Sequence, residues 1–266
     1  MTEHELMLTR VLGCRRVDLY AEPPHLSADQ WETLAGMQQR RRRGEPLQYV
    51  LGETEFWGLP IRVDQRVLIP RPETELLVEA VLRQTRTGSQ RHWDILDVGT
   101  GSGCIAVALG RMVPLCRIMG IDISQDALDV AVSNVINNGV ASKVKLRRCA
   151  MADYFGQEDC DDPLFDVIVS NPPYVATEQI GQLQREIRYW EPRIALDGGV
   201  AGLEYLRLII QLAPLKLRRQ GKLFLEIGDD QRSEILRLLR QYPYYEDLKI
   251  YPDYRGIERV VSATLA

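Results

Sequence analysis

From Trp93 onward the chain alternates short apolar runs with segments whose apolar residues recur every three or four positions. The runs 94–98, 116–121, 143–148, 165–170 and 222–227 have strand length. Segments 104–110, 125–137 (opening after Ser124), 203–219 and 231–240 carry helical periodicity. Two last strands, 248–251 and 259–263, are separated only by Asp253-Tyr254-Arg255-Gly256. This alternation predicts an α/β fold: a mostly parallel sheet with helices on both faces and one antiparallel strand near the end. Ligands of such sheets bind beyond the carboxyl ends of the strands, at the switch point.

Upstream the pattern changes. The first 44 residues read as helical. Ser27 and Gln30 form a capping box, and Trp31, Leu34 and Met37 follow at helical spacing. Arg40, Arg41, Arg42 and Arg43 then precede Gly44 and read as a solvated helix end that complements the helix dipole, in preference to a partner-binding patch. Tyr49-Val50-Leu51, Phe56-Trp57 and Ile61-Arg62-Val63 read as short strands broken by Gly52 and Gly58-Leu59-Pro60, a β-hairpin connector. Pro70 and Pro72 make a stiff approach to a helix over 73–86, and Gly88-Ser89-Gln90 reads as a loop.

Composition narrows the class. With 266 residues, 45% hydrophobic and 26% charged, the chain is globular and long enough to bury a core without disulfides or metal. Thirty-three Lys and Arg against 37 Asp and Glu leave a net charge of -4, which disfavours a globally basic nucleic-acid binder. The first 44 residues hold 7 Arg and 6 acids and add no basic surplus. Five cysteines without a CxxC pair, and three scattered histidines, predict neither a disulfide framework nor a metal site. No signal peptide and no run of about 18 apolar residues is seen, so a cytoplasmic protein with no membrane span is expected.

The first strand of the alternating region runs into Asp97-Val98-Gly99-Thr100-Gly101-Ser102-Gly103. Glycines at alternate positions let the backbone turn tightly and approach a ligand. Asp122, 25 residues after Asp97, closes the next strand, where a carboxylate can accept from ribose hydroxyls. A dinucleotide fingerprint needs GxGxxG or GxGxxA, and Cys104 stands at that third required position. No Gly-Lys-Ser/Thr follows either. A ribose-binding acid without a pyrophosphate cradle suits an adenosyl ligand lacking phosphates, S-adenosylmethionine foremost. A glycine turn serving packing alone is the competing reading. Asp153-Tyr154-Phe155, after the third strand, offers an acceptor for an adenine amine and an aromatic for the adenine face.

Asn171-Pro172-Pro173-Tyr174 directly follows strand 165–170, at the same sheet edge as the glycine loop. Two prolines fix φ and remove two donors, leaving a stiff segment with carbonyls aimed at set places. An amide or exocyclic amine is a weak nucleophile because its lone pair is delocalised. The Asn171 side-chain oxygen and the Pro172 carbonyl can each accept one N–H and orient such a nitrogen, while Tyr174 packs on the planar group. Methyl transfer from a sulfonium is an in-line displacement, so alignment and desolvation carry most of the acceleration and no strong base is required.

These motifs, with Ile69-Pro70-Arg71-Pro72-Glu73-Thr74-Glu75, Glu45-Pro46-Leu47-Gln48-Tyr49, Glu191-Pro192-Arg193, Leu225-Glu226-Ile227-Gly228 and the closing Asp253-Tyr254-Arg255-Gly256, resemble the bacterial peptide chain release factor glutamine methyltransferases, the HemK or PrmC family. The resemblance is firmest over 45–266. It implies a helical substrate-docking domain (1–44), a hairpin linker (45–72) and a class I methyltransferase domain with a seven-stranded sheet (73–266). The implied reaction is N5 methylation of the glutamine in the Gly-Gly-Gln motif of release factors, by a monomer that binds no nucleic acid directly. By motif position, Gly99, Thr100, Gly101, Ser102, Gly103, Asp122, Tyr154 and Asn171 hold S-adenosyl-L-methionine. Asn171, Pro172, Pro173 and Tyr174 bind the substrate glutamine, and residues 70–72 help roof the cofactor. Ala201 departs from the family, where an acid often stands. Two alternatives stay open on the short motif, a methylase of exocyclic base amines and a ribosomal-protein glutamine methylase; a non-catalytic cofactor-binding module is disfavoured because the substrate loop is intact.

Overall fold

The computed structural model describes residues 2–21, 24–85, 91–156 and 164–266; the loop read at Gly88-Ser89-Gln90 lies outside them. Four helices open the chain: α1 (Glu3–Leu12), α2 (Asp18–Ala21), α3 (Ala28–Arg42) and α4 (Leu47–Leu51). The capping box of α3 is formed. The Gln30 amide donates to the Ser27 hydroxyl, and the Ser27 amide donates back to the Gln30 side chain at 2.9 Å. Met7, Leu34 and Val50, from α1, α3 and α4, make a small core. Trp31 does not share it and is 59% exposed. It lies about 60° round the helix from Leu34, and the short neighbouring helices bury only a narrow stripe of α3.

Part of the arginine run departs from the solvated-end reading. Arg40 forks onto the buried Glu45 and also donates to the Tyr49 carbonyl. Arg41 bridges Glu3 on α1 and Glu186 far downstream, fastening the helical segment to the rest of the molecule. Arg42 and Arg43 are exposed.

Tyr49-Val50-Leu51, read as a strand, lies in α4, which ends at left-handed Gly52. Successive helical positions point about 100° apart. Tyr49 therefore enters the main core, its hydroxyl donating to the Val67 carbonyl, while Val50 joins the N-terminal core. Burial by two different cores, rather than by two faces of a sheet, explains this apolar run. The hairpin does form, from β1 (Glu53–Phe56) and β2 (Leu59–Arg62), around Trp57-Gly58, both at positive φ as a two-residue I′ turn requires.

The remaining elements are α5 (Thr74–Thr85), β3 (Trp93–Val98), α6 (Cys104–Met112), β4 (Cys116–Asp122), α7 (Gln125–Asn137), β5 (Val144–Arg148) and α8 (Met151–Gly156), followed by β6 (Phe165–Ser170), α9 (Arg185–Trp190), α10 (Glu204–Leu212), β7 (Leu217–Glu226), α11 (Arg232–Arg240), β8 (Tyr245–Pro252) and β9 (Glu258–Leu265). The sheet order is β5-β4-β3-β6-β7-β9-β8, with β9 antiparallel to both neighbours. That is the single reversed strand the sequence predicts. The helix read over 203–219 stops at Leu212. Pro214 sits in the tight turn that follows, and 217–219 begin β7; proline cannot supply the donor a continuing helix needs. β3 is buried at every position, and Ile95 and Leu96 belong to different core clusters, as the two-residue period of a doubly covered strand demands. The chain passes from β3 to β4 and β5 on one side, then returns to β6 on the other. The carboxyl ends of β3 and β6 therefore flank the switch point.

Candidate active site

The turn after β3 is built by its glycines. Gly99, Gly101 and Gly103 all have positive φ, a conformation that is costly for any residue with a Cβ. The Gly99 and Thr100 amides both donate to the Ile121 carbonyl, clamping the turn onto β4. Thr100 and Ser102 are buried, and the Thr100 hydroxyl donates to Asp97 at 2.6 Å. A Cβ on Gly103 would stand 3.1 Å from that of Ala131, so this glycine lets α6 and α7 pack closely. Only Gly99 and Gly101 of this turn line the cavity above the sheet.

Asp122 ends β4 and faces that cavity. Its Oδ2 accepts from the Gly101 amide and its Oδ1 from the Ser124 amide, both at 2.9 Å. Burial pushes its carboxyl up; the backbone donors hold it down.

Ser170, the last residue of β6, donates its hydroxyl to the Val98 carbonyl at 2.7 Å and locks the next loop beside the glycine turn. Asn171 and Pro173 line the cavity, while Pro172 is buried. The Asn171 side-chain NH2 donates to the Thr74 hydroxyl at 3.0 Å; its oxygen accepts no hydrogen bond among the described residues. The Tyr174 hydroxyl donates to Glu226 at the end of β7. Behind the loop, the Val175 amide donates to Leu196 and the Gly198 amide to Val175. A Cβ on Gly198 or Gly202 would collide with the Pro173 or Tyr174 carbonyl, so glycine is required for this close approach. Gln231 donates to the carbonyls of Tyr174 and Gly202 at 3.0 Å each.

The cavity measures about 260 Å³, more than ten times the roughly 10–15 Å³ that one water occupies by this measure. Asp122 and the glycine turn form one wall. Ile123 and residues 149–152 form an apolar side, and Asn171 and Pro173 an end. Arg66, Val67 and Leu68 from the linker and Pro192, Ile194 and Ala195 also line it. These two segments are tied by Arg71 to Glu191 at 2.5 Å, with the Ile69 amide on the other Glu191 oxygen. Residues 66–68 thus line the cavity, while Arg71 does not line it and instead ties the linker to Glu191.

Tyr154 is a correction. It is fully buried on α8, with Phe155 edge-on and the cations of Arg147 and Lys216 near its ring, and it does not line the cavity. Met151 and Ala152, one turn earlier on the same helix, hold the cavity position. The α8 helix, not anticipated in the sequence, turns Tyr154 toward the core and leaves Asp153 exposed. Thr74, Glu191, Glu226 and Gln231 meet partners on distant strands and loops, which no short-range pattern in the sequence signals, although the first three stand inside the motifs quoted above.

A family model described as "PrmC N-terminal domain" matches residues 2–52, and one described as "Methyltransferase small domain" matches residues 72–187. A protein of Thermodesulfovibrio yellowstonii named release factor glutamine methyltransferase is 38% identical over 259 residues, which cover 97% of this chain and 90% of that protein. One of the same name from Geobacter sulfurreducens is 39% identical over 264 residues, 99% of this chain and 89% of that protein. Among solved structures, human methyltransferase 10 domain containing protein aligns with TM-score 0.56 at 17% identity, over 91% of this chain and all of that one. Ribosomal protein L11 methylase of Lactobacillus delbrueckii aligns with TM-score 0.53 at 19% identity, over 77% and 84% of the two chains. Both share the methyltransferase fold.

Proposed function

The chain belongs to the release factor glutamine methyltransferase family, and from that premise we propose that it methylates the side-chain nitrogen (N5) of the glutamine in the Gly-Gly-Gln motif of a peptide chain release factor. S-adenosyl-L-methionine is the proposed cofactor, and when bound it supplies a methyl carbon made electrophilic by an adjacent sulfonium.

One observation carries the reading. Asn171 borders the same cavity as Gly99, Gly101 and Asp122, with its NH2 turned to Thr74 and its carbonyl oxygen left for a donor. The chain's residues suit both ligands. Asp122 has one lone pair on each oxygen taken by a backbone amide, and those remaining can accept ribose hydroxyls. Ile123 and Met151 offer apolar surface for a purine. Thr100, Ser102 and Gly103 act one step back, by holding the turn in shape. The Asn171 side-chain oxygen and the Pro172 carbonyl would each take one of the two N–H bonds of the glutamine amide, with Tyr174 against its plane. Orienting that nitrogen and excluding water is the protein's main contribution, because proton loss after methylation is easy.

The helical segment 1–44 is the proposed docking unit for the protein substrate, 45–72 the linker and 73–266 the catalytic domain. Arg41 holds the first against α9 of the third. Among the described residues no helix is long and apolar enough to cross a membrane, and the proposed substrate would be met in the cytoplasm. Methyl incorporation from labelled cofactor into release factor, ribosomal protein, rRNA and DNA tests the reading. Label on the release factor glutamine supports it; label on another substrate but not on release factor rejects it.

A further inference from the structure

Gln231 stands at the N-cap position of α11, yet its side chain makes no capping bond to that helix. Glutamine is not among the residues favoured there; a serine or aspartate would satisfy an orphan amide. The carboxamide instead joins three loops. Its Nε2 donates to the Tyr174 and Gly202 carbonyls at 3.0 Å each, and its Oε1 accepts from the Gly228 amide at 2.9 Å. Reversing it would set an oxygen against two carbonyls and an NH2 against an N–H, so its orientation is fixed. Ala201, whose carbonyl lies 3.5 Å from Nε2, is held at φ 55 in the loop 198–202. Two local preferences are thus set aside at one place behind the Asn171 loop, as happens where a site demands position.

The peptide unit joining Tyr174 to Val175 is planar, and it is held at both ends, its carbonyl by Gln231 and its N–H by the Leu196 carbonyl at 3.0 Å. At the start of the loop, Ser170 is fixed to Val98. Between these anchors Pro172 and Pro173 have φ set by their rings. The Pro173 carbonyl lies against Gly198, where a Cβ would come within 2.7 Å of it. Two carbonyls of the loop are therefore taken up by the segment behind it. The Pro172 carbonyl accepts no hydrogen bond among the described residues, and neither does the Asn171 side-chain oxygen.

We propose that Gln231 is a positioning residue which, by holding the Tyr174–Val175 peptide unit, keeps the Asn171 side-chain oxygen and the Pro172 carbonyl as the two acceptors for the substrate NH2. The inference rests on the proposed role of this loop toward the glutamine amide. Release of the unit would let the Tyr174 carbonyl swing and displace the Pro172 carbonyl, and a misplacement of about 1 Å at a reacting site is worth up to about a hundredfold in rate.

The test is single-turnover methylation of purified release factor at saturating S-adenosylmethionine, with cofactor affinity measured by calorimetry. Gln231→Glu keeps the side-chain length and the acceptor for Gly228, but when ionised it sets an oxygen against two carbonyls. At about pH 8 its transfer rate at saturating release factor is expected to fall roughly tenfold to a hundredfold, with cofactor affinity within about twofold of wild type. Two facing carbonyls favour the protonated form of that carboxyl, which donates one hydrogen bond. The rate of Gln231→Glu relative to wild type should therefore climb as pH falls from about 8 to about 5.5. Tyr174 and its partner Glu226, Glu204 beside Gly199, and Asp229 and Asp230 in the same turn are present in both proteins, so the ratio removes their titration. Gln231→Met, of similar length and without a donor, should lose rate at every pH. Should Gln231→Glu not fold, Gln231→Met decides alone, a slow transfer with cofactor affinity retained supporting the role. A loss in Gln231→Glu that does not recover at low pH, or a loss of cofactor affinity equal to the loss of rate, overturns it. Undiminished transfer by these variants beside an inactive Asn171→Ala overturns the role of Gln231 and leaves the function standing; an active Asn171→Ala overturns the reading of the loop itself.

Discussion

The Gly101 amide donates to Oδ2 of Asp122 at 2.9 Å. One carboxylate thereby fixes the turn after β3 and borders the cavity at the same time. Asp122→Ala removes the anchor and the ribose acceptor together. We expect cofactor affinity to fall roughly tenfold to a hundredfold, the loss of one or two charge-assisted hydrogen bonds, and melting temperature to fall as well, because the Gly101 and Ser124 amides lose their acceptor. Calorimetry decides it, and unchanged affinity rejects the ribose assignment.

Arg71 pairs with Glu191, whose side chain is almost fully buried. Burial raises Glu191 despite this partner. Arg71→Ala leaves a buried carboxylate with only the Ile69 amide, at a cost of about 3 kcal/mol, the lower end for breaking such pairs because Arg71 is partly exposed. Arg71→Ala/Glu191→Gln should recover much of that stability. Cofactor affinity should remain reduced in both, since the two cavity-lining segments stay untied. Urea denaturation gives the first quantity and calorimetry the second. A double variant no more stable than the single one would contradict the account.

Asp97 and Glu226 are fully buried, and burial pushes each up to about 7. An unfolded carboxyl titrates near 4. Between about pH 4 and 7 the folded state therefore binds more protons than the unfolded state, and stability must fall as pH rises through that window, levelling above it. The carboxylates held low by arginines, such as Asp94, act below this range. The denaturation midpoint should be lower at pH 8 than at pH 5.5, and Asp97→Asn should flatten the slope. A midpoint that rises with pH in this window would count against both assignments.

Ala201 has φ 55 and is exposed, in the loop that straps the back of Asn171-Pro172-Pro173-Tyr174. An alanine in the left-handed region costs roughly 1–2 kcal/mol, less for asparagine or glycine. Ala201→Asn and Ala201→Gly should stabilise the protein by up to about 1 kcal/mol, with cofactor affinity unchanged. Thermal melts that fall for both would show that the loop gains something from alanine.

What the residues determine by themselves is local or nearly so. Strand and helix alternation, the Ser27–Gln30 cap, a hairpin turning near Gly58 (though Trp57 joins the turn and Leu59-Pro60 the second strand), the single reversed strand, and the placement of Gly99, Asp122 and Asn171 at one sheet edge are all legible. Each depends on a short-range period, a turn preference, or the rule that parallel strands point their carboxyl ends the same way. Other features depend on partners far off in the chain. Tyr49 and Val50 form a helix turn because two separate cores claim them. Tyr154 faces inward because α8 packs against α10 and the turn at Ala213–Leu215. Thr74 meets Asn171 across 97 residues, and Tyr174 meets Glu226 across 52. Hydrogen-bond polarity within a buried cluster is a property of all its members at once, so only the assembled tertiary structure decides which way the Asn171 amide points.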